Sequence, residues 1–185
     1  ADSSGTKAKS GLSVAANVAL NIMKDQAVAW VGNSAADKTT VTVGSSNIKA
    51  TNDTGIYALS GAVALAANTN AASKGIAGAL MFNGIFDTTQ ADMANTDFTI
   101  TGDSLSLSAN NDSDIYSLSA SGGIAPSGTG AAGQVSVNML KNNTDAYIDQ
   151  SQVKLNGPMV FGTSVSAADN ETIVAVGGAV GYGGK

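Results

Sequence analysis

Cysteine, histidine and arginine are absent from this sequence, and proline occurs twice in 185 residues. No cysteine means no disulfide scaffold. No arginine and no histidine removes the usual cationic partners of a polysaccharide lyase, although lysine remains. Aromatic residues make up 5% and charged residues 12%, and all nine positive side chains are lysine. The net charge of −5 argues against nucleic acid, whose binders carry a basic patch or stripe. No apolar run reaches the roughly 18 residues expected of a membrane-spanning helix. The chain opens Ala1-Asp2-Ser3-Ser4, with no start methionine and no signal peptide, which reads as a cut through a longer polypeptide.

What is present is 43% hydrophobic, largely as small and β-branched side chains with abundant Gly, Ser, Thr and Asn. Disorder needs low hydrophobicity and high charge, and this chain has neither. A core of small side chains suits stacked, repeated strands better than a globular interior of aromatics.

Internal repetition organises the chain. The stretch Leu20-Asn21-Ile22-Met23-Lys24-Asp25-Gln26-Ala27-Val28-Ala29-Trp30-Val31 matches, without a gap, Val137-Asn138-Met139-Leu140-Lys141-Asn142-Asn143-Thr144-Asp145-Ala146-Tyr147-Ile148. The middle copy runs from Phe82-Asn83-Gly84 to Ala91-Asp92-Met93, with Asp92 where the others have an aromatic. Asn21, Asn83 and Asn138 are 62 and 55 residues apart. A second block aligns Asn52, Asn111 and Asn170, 59 residues apart each time. The period is about 59 residues, and the three copies occupy approximately residues 11–67, 75–128 and 130–185 of one solenoid segment. No terminal cap is visible, so the isolated segment is expected to stack or aggregate through its open ends.

Within each copy the apolar residues alternate, as at Val41 and Val43, Leu105 and Leu107, or Val135, Val137 and Met139, which reads as half-buried strand. The alternation predicts Val135, Val137 and Met139 inside, with Ser136 and Asn138 outside or at a corner. Lys141 and Asp145 fall at turn or solvent positions. Residues 11–23 have some helical character, but the third copy of that segment is plain strand. Asn-Asp, Gly-Asp, Asn-Gly and Gly-Pro pairs read as turns between short strands. Three strands of about 4–5 residues and three short turns make a coil of roughly 20 residues. The expectation is an all-β parallel β-helix of about nine coils, with a Greek-key sandwich as the lesser alternative.

The repeated phrase from Val137 to Ile148 resembles one found in giant, leukotoxin-like filamentous adhesins of Gram-negative bacteria and other type V secreted passengers. The Gly-rich lead-in of residues 128–133 and the Asn170-Glu171-Thr172-Ile173 block fit that layout. Gly84 and Asp92 depart from it, which predicts local irregularity in the middle copy. The resemblance implies a right-handed parallel β-helix, export to the cell surface, and attachment to a host or bacterial glycan or protein.

Asp53, Asp112, Asp114, Asp169 and Glu171 read as lying at repeated turn positions. Facing carboxylates are what glycoside hydrolysis requires, but recurrence in every copy fits turn-capping better. Calcium at Asp112-Ser113-Asp114 is conceivable chemistry without the spacing of a known calcium loop. Asn52, Asn111, Asn142 and Asn170 begin glycosylation sequons. Trp30, Tyr57, Tyr116 and Tyr147 suggest either a carbohydrate-stacking stripe or packing. Gly177, Gly178 and residues 181–184 lack the context of a phosphate loop and suit corners or close backbone contact. The reading assigns no catalytic residue, cofactor or metal. It expects a structural or adhesive surface segment, against a carbohydrate-active β-helix enzyme or a surface-layer or ice-binding solenoid. Thr39-Thr40 and Thr99 to Thr101 lack the register that ice binding needs.

Overall fold

Residues 11–33, 37–67, 72–157 and 162–184 are described by the computed structural model. The opening Ala1-Asp2-Ser3-Ser4 and Pro158 of the Gly-Pro pair lie outside the described residues. The first repeat forms β1 (Leu12–Met23), β2 (Gln26–Gly32), β3 (Thr39–Val43) and β4 (Ser46–Leu65). The second forms β5 (Ser73–Ile85), β6 (Thr88–Ala94), β7 (Thr96–Ile100) and β8 (Ser104–Ala125). The third forms β9 (Gly128–Leu140), β10 (Asn143–Asp149), β11 (Gln152–Leu155) and β12 (Gly162–Gly183). Equivalent strands pair in parallel as four three-stranded sheets: β1-β5-β9, β2-β6-β10, β3-β7-β11 and β4-β8-β12. The described residues are all-β with the layout of a solenoid, and residues 12–23 are strand throughout.

The layer count differs from the nine expected. Each strand pairs with its equivalent one whole repeat away, as Asn21 with Asn83 and Asn83 with Asn138. One repeat therefore makes one layer, and three layers stack. The Asn-Asp and Asn-Gly pairs do not turn the chain. Asn52-Asp53 lies inside a 20-residue strand and Asn83-Gly84 inside a 13-residue one. True corners are shorter. Between the second and third sheets the chain turns on Asn95 (φ 51°) and, one layer on, Gln150 (φ 45°), a left-handed conformation that Asn tolerates better than most residues. Gly102-Asp103 does mark a bend.

The cross-section has two parts. The first half of β4, β8 and β12 closes with the second and third sheets around a hydrophobic core that includes Ile48, Met93, Phe98, Ile100, Leu105 and Leu107. The second half of those long strands packs on the β1-β5-β9 sheet as a thin two-sheet blade. Between its sheets lie Ala62, Ala64 and Ala77, with Ala15 and Ala132 beside them. The sheets approach closely enough that a Cβ on Gly123 would overlap the carbonyl oxygens of Ala131 and Gly75. Gly181 likewise sits against the Gly130 carbonyl from within β12, so these glycines mark close backbone contact and not corners.

Because the gap is thin where Ala62, Ala64 and Ala77 meet, most large residues of the blade face outward, while Met81, Ile85 and Ile115 take the inward register and are fully buried. Val135, Val137 and Met139 are 55%, 42% and 43% exposed, while Ser136 and Asn138 take the inner register. This reverses the expected faces: alternation separates two sides of a strand but does not say which is inside. The inner choice is fixed by the Asn column. Asn21 Nδ2 donates to Asn83 Oδ1 at 2.8 Å, and Asn83 Nδ2 donates to Asn138 Oδ1 at 2.7 Å. Asn83 is fully buried, and buried amides are tolerated when so bonded.

The middle layer is regular where irregularity was expected. Gly84 pairs with Ile22 and Met139, and Asp92 with Trp30 and Tyr147, without a break in register. At Gly84 a Cβ would come within 2.9 Å of the Phe86 ring and 3.3 Å of the Phe82 ring, so the glycine makes room for both.

Candidate interaction surfaces

The recurrent acids do not converge. Asp53 and Asp112 are register partners on an exposed strand face, and Asn170 Nδ2 donates to Asp112 Oδ1 at 3.1 Å. They lie on strands, not at turns. The third repeat is displaced by one residue: Asn170 pairs with Asp112, and it is Asp169 that aligns with Asn111 and Asn52. Asp169 accepts from Asn111 Nδ2 at 2.9 Å. Glu171 pairs with Ser113, in the inward register. Ser113 is fully buried and its hydroxyl donates to Asp87 Oδ2 at 3.1 Å. The Asp112-Ser113-Asp114 triplet therefore splits between two faces and cannot chelate calcium as a unit. Among the described residues no three His, Cys, Asp or Glu side chains are placed to hold a metal.

The sequon asparagines divide in the same way. Asn52 and Asn111 are buried, so their amides face the interior. Asn170 is exposed and Asn142 half-buried. Asn142 Nδ2 donates to Ser113 Oγ at 3.0 Å, joining the interior network that contains Asp87 and Asn111.

The four aromatics do not form one stripe. Tyr57 and Tyr116 stack in successive layers, with centroids 5.1 Å apart and an 8° interplanar angle, on the outer side of the blade. Trp30 and Tyr147 lie on the outer face of the β2-β6-β10 sheet, on either side of Asp92. Asp92 is 4% exposed although it points outward. Burial raises its pKa above the ordinary aspartate value, and a hydrogen bond with Gln90 opposes the rise. Gln90 Nε2 also donates to the Tyr147 hydroxyl at 2.7 Å. Burial likewise raises the Tyr147 pKa, with Asp92, Asp145 and Asp149 adding to it. The threonines show no continuous array: Thr40 pairs with Asp97, and Thr99 with Thr42 on one side and Lys154 on the other.

A further surface feature lies on the blade. Both outer sides of the blade are apolar. One carries the columns Val18-Leu80-Val135 and Leu20-Phe82-Val137; the other carries Tyr57-Tyr116-Val174 and Leu59-Leu118-Val176. Val18 is 70% and Leu59 76% exposed. Three strands about 4.8 Å apart and 9–12 residues long give each side roughly 500 Å², the size at which an exposed apolar patch on a monomer is often functional. The readable signal was the facing column Ala15-Ala77-Ala132, whose small side chains leave no room inside for the large ones.

No helix among the described residues is long and apolar enough to cross a membrane; strands are a separate matter. No protein-family model, curated protein or solved structure matches this chain.

Proposed function

We propose that this chain is a structural and adhesive segment of a bacterial cell-surface or secreted filament, serving as stalk or attachment surface. The observation that carries the reading is the pairing of each repeat with the next through all four parallel sheets. Such an assembly grows by adding repeats, each joined by backbone hydrogen bonds along the axis, as quasi-one-dimensional proteins do. A right-handed winding and neighbouring layers from the same chain belong to this reading. The apolar sides of the blade supply contact area for a host or bacterial surface glycan or protein, or for other copies. The chain's likeness to filamentous adhesins rests on the repeated phrase ending at Tyr147-Ile148.

The test is microscopy of the full-length protein and of the intact cells that make it. Gold-labelled antibody to this segment should decorate unpermeabilised cells, and the purified full-length protein should be a fibre whose length grows with repeat number. Labelling confined to permeabilised cells, or a compact particle, overturns the proposal.

A further inference from the structure

On the outer face of the β2-β6-β10 sheet, Trp30, Asp92 and Tyr147 occupy one column across three layers. Adjacent strands lie about 4.8 Å apart, so the two aromatic side chains leave the sheet roughly 10 Å apart with the carboxylate between them. Trp30 is 50% and Tyr147 41% exposed, whereas Asp92 is 4% exposed. Its Oδ1 is buried and has no hydrogen-bond partner. A buried carboxylate oxygen without a partner is costly, and a positive charge offsets that cost best.

The surroundings add negative charge. Asp145 and Asp149 lie on β10 of the same face, and the outward register positions of β2, β6 and β10 contain no lysine. Aromatic faces attract cations through the ring quadrupole. A hard metal ion would need six or more oxygen ligands, which this column does not offer. A neutral sugar would stack on the rings and bond to Asp92 but leave the charge uncompensated.

The geometry points to a binding site for an organic cation, an ammonium or guanidinium group, at Asp92 between Trp30 and Tyr147. The group comes from a lysine or arginine side chain of a partner protein or from a free quaternary amine. Entry requires one ring to swing aside on its own side-chain torsions, which breaks no backbone hydrogen bond. The site is a discrete one on a single sheet face and does not depend on the chain being part of a fibre.

Trp30 is the sole tryptophan, so its fluorescence reports the site directly. The chain is titrated with tetramethylammonium, N-acetyl-lysine amide and N-acetyl-arginine amide, against sodium chloride at equal ionic strength and a neutral cello-oligosaccharide. The expected result is a saturable change with at least one organic cation and none with salt, the strongest of the three cations identifying the source. Asp92→Asn should weaken the response roughly tenfold, the loss of one charge-assisted hydrogen bond. If Asp92→Asn does not fold, acidification serves instead: protonating Asp92, flanked by Asp145, Asp149 and Tyr147, should abolish the response while circular dichroism is unchanged. No saturable change, a response that survives both Asp92→Asn and acidification, or a response to the oligosaccharide alone overturns the proposal.

Discussion

Asn83 donates its side-chain amide to Asn138 across 2.7 Å, one full repeat further along the chain. The fully buried Asn83 also accepts from Asn21, so it joins all three layers through one residue type. Asn83→Ala removes both bonds and strands two polar partners, and it should cost about 1–3 kcal/mol. The exposed Asn143→Ala should stay within about 0.5 kcal/mol. Urea unfolding of the two variants makes the comparison; equal losses would deny the ladder a structural role.

Faces of the blade are tested by charge. Val137→Asp places a carboxylate on an exposed side and should cost no more than about 1 kcal/mol. Leu107→Asp buries one in the main core, where Leu107 is fully covered, and should cost several kcal/mol. Thermal melts that rank the two variants the other way would restore the inward placement of Val137.

The apolar sides should drive association of the isolated chain. Leu118→Lys combined with Val18→Lys should lower the weight-average mass in sedimentation while leaving circular dichroism unchanged. A wild-type chain that stays strictly monomeric at high concentration would contradict the description of these sides as sticky.

Asp92 makes stability depend on pH in the reverse of the usual aspartate sense. Its folded pKa is raised, so the folded state holds the proton more tightly than the unfolded state does. Its contribution is most favourable below the ordinary aspartate value and is lost as pH rises through the raised one. Asp92→Asn should therefore stabilise the chain at neutral pH and change it less in acid, measured by melting at both. A variant that is less stable at neutral pH would show that the charged form is favoured in the fold.

The 59-residue period, the Asn column and the alignment of Trp30, Asp92 and Tyr147 were all readable as sequence, because stacking in register repeats residues at the same place. The layer count was not, since nothing local distinguishes Asn52-Asp53 inside a long strand from the same pair at a turn. Nor was the one-residue displacement of Asn170, since the register offset between the second and third repeats is 55 residues at Gln152 and Asp97 but 58 at Gly162 and Ser104. The orientation of Val135 and Val137 depends on how closely another sheet approaches, and Gly75, Gly123 and Gly130 set that distance from remote parts of the chain.

The central claim, one layer per repeat in parallel register, can be tested with two introduced cysteines, since the chain has none of its own. Asp53 and Asp112 are exposed register partners, so Asp53→Cys with Asp112→Cys brings the Cα atoms about 5 Å apart, within disulfide range. Pairing Asp53→Cys with Asp114→Cys shifts two residues along the strand, to roughly 8 Å, and exceeds that range. Mass spectrometry after mild oxidation of the monomer should find the intramolecular disulfide in the first variant and little in the second. A solenoid of nine thin coils would hold residues 53 and 112 three layers apart, about 14 Å, and absence of the first disulfide in folded protein would contradict the account.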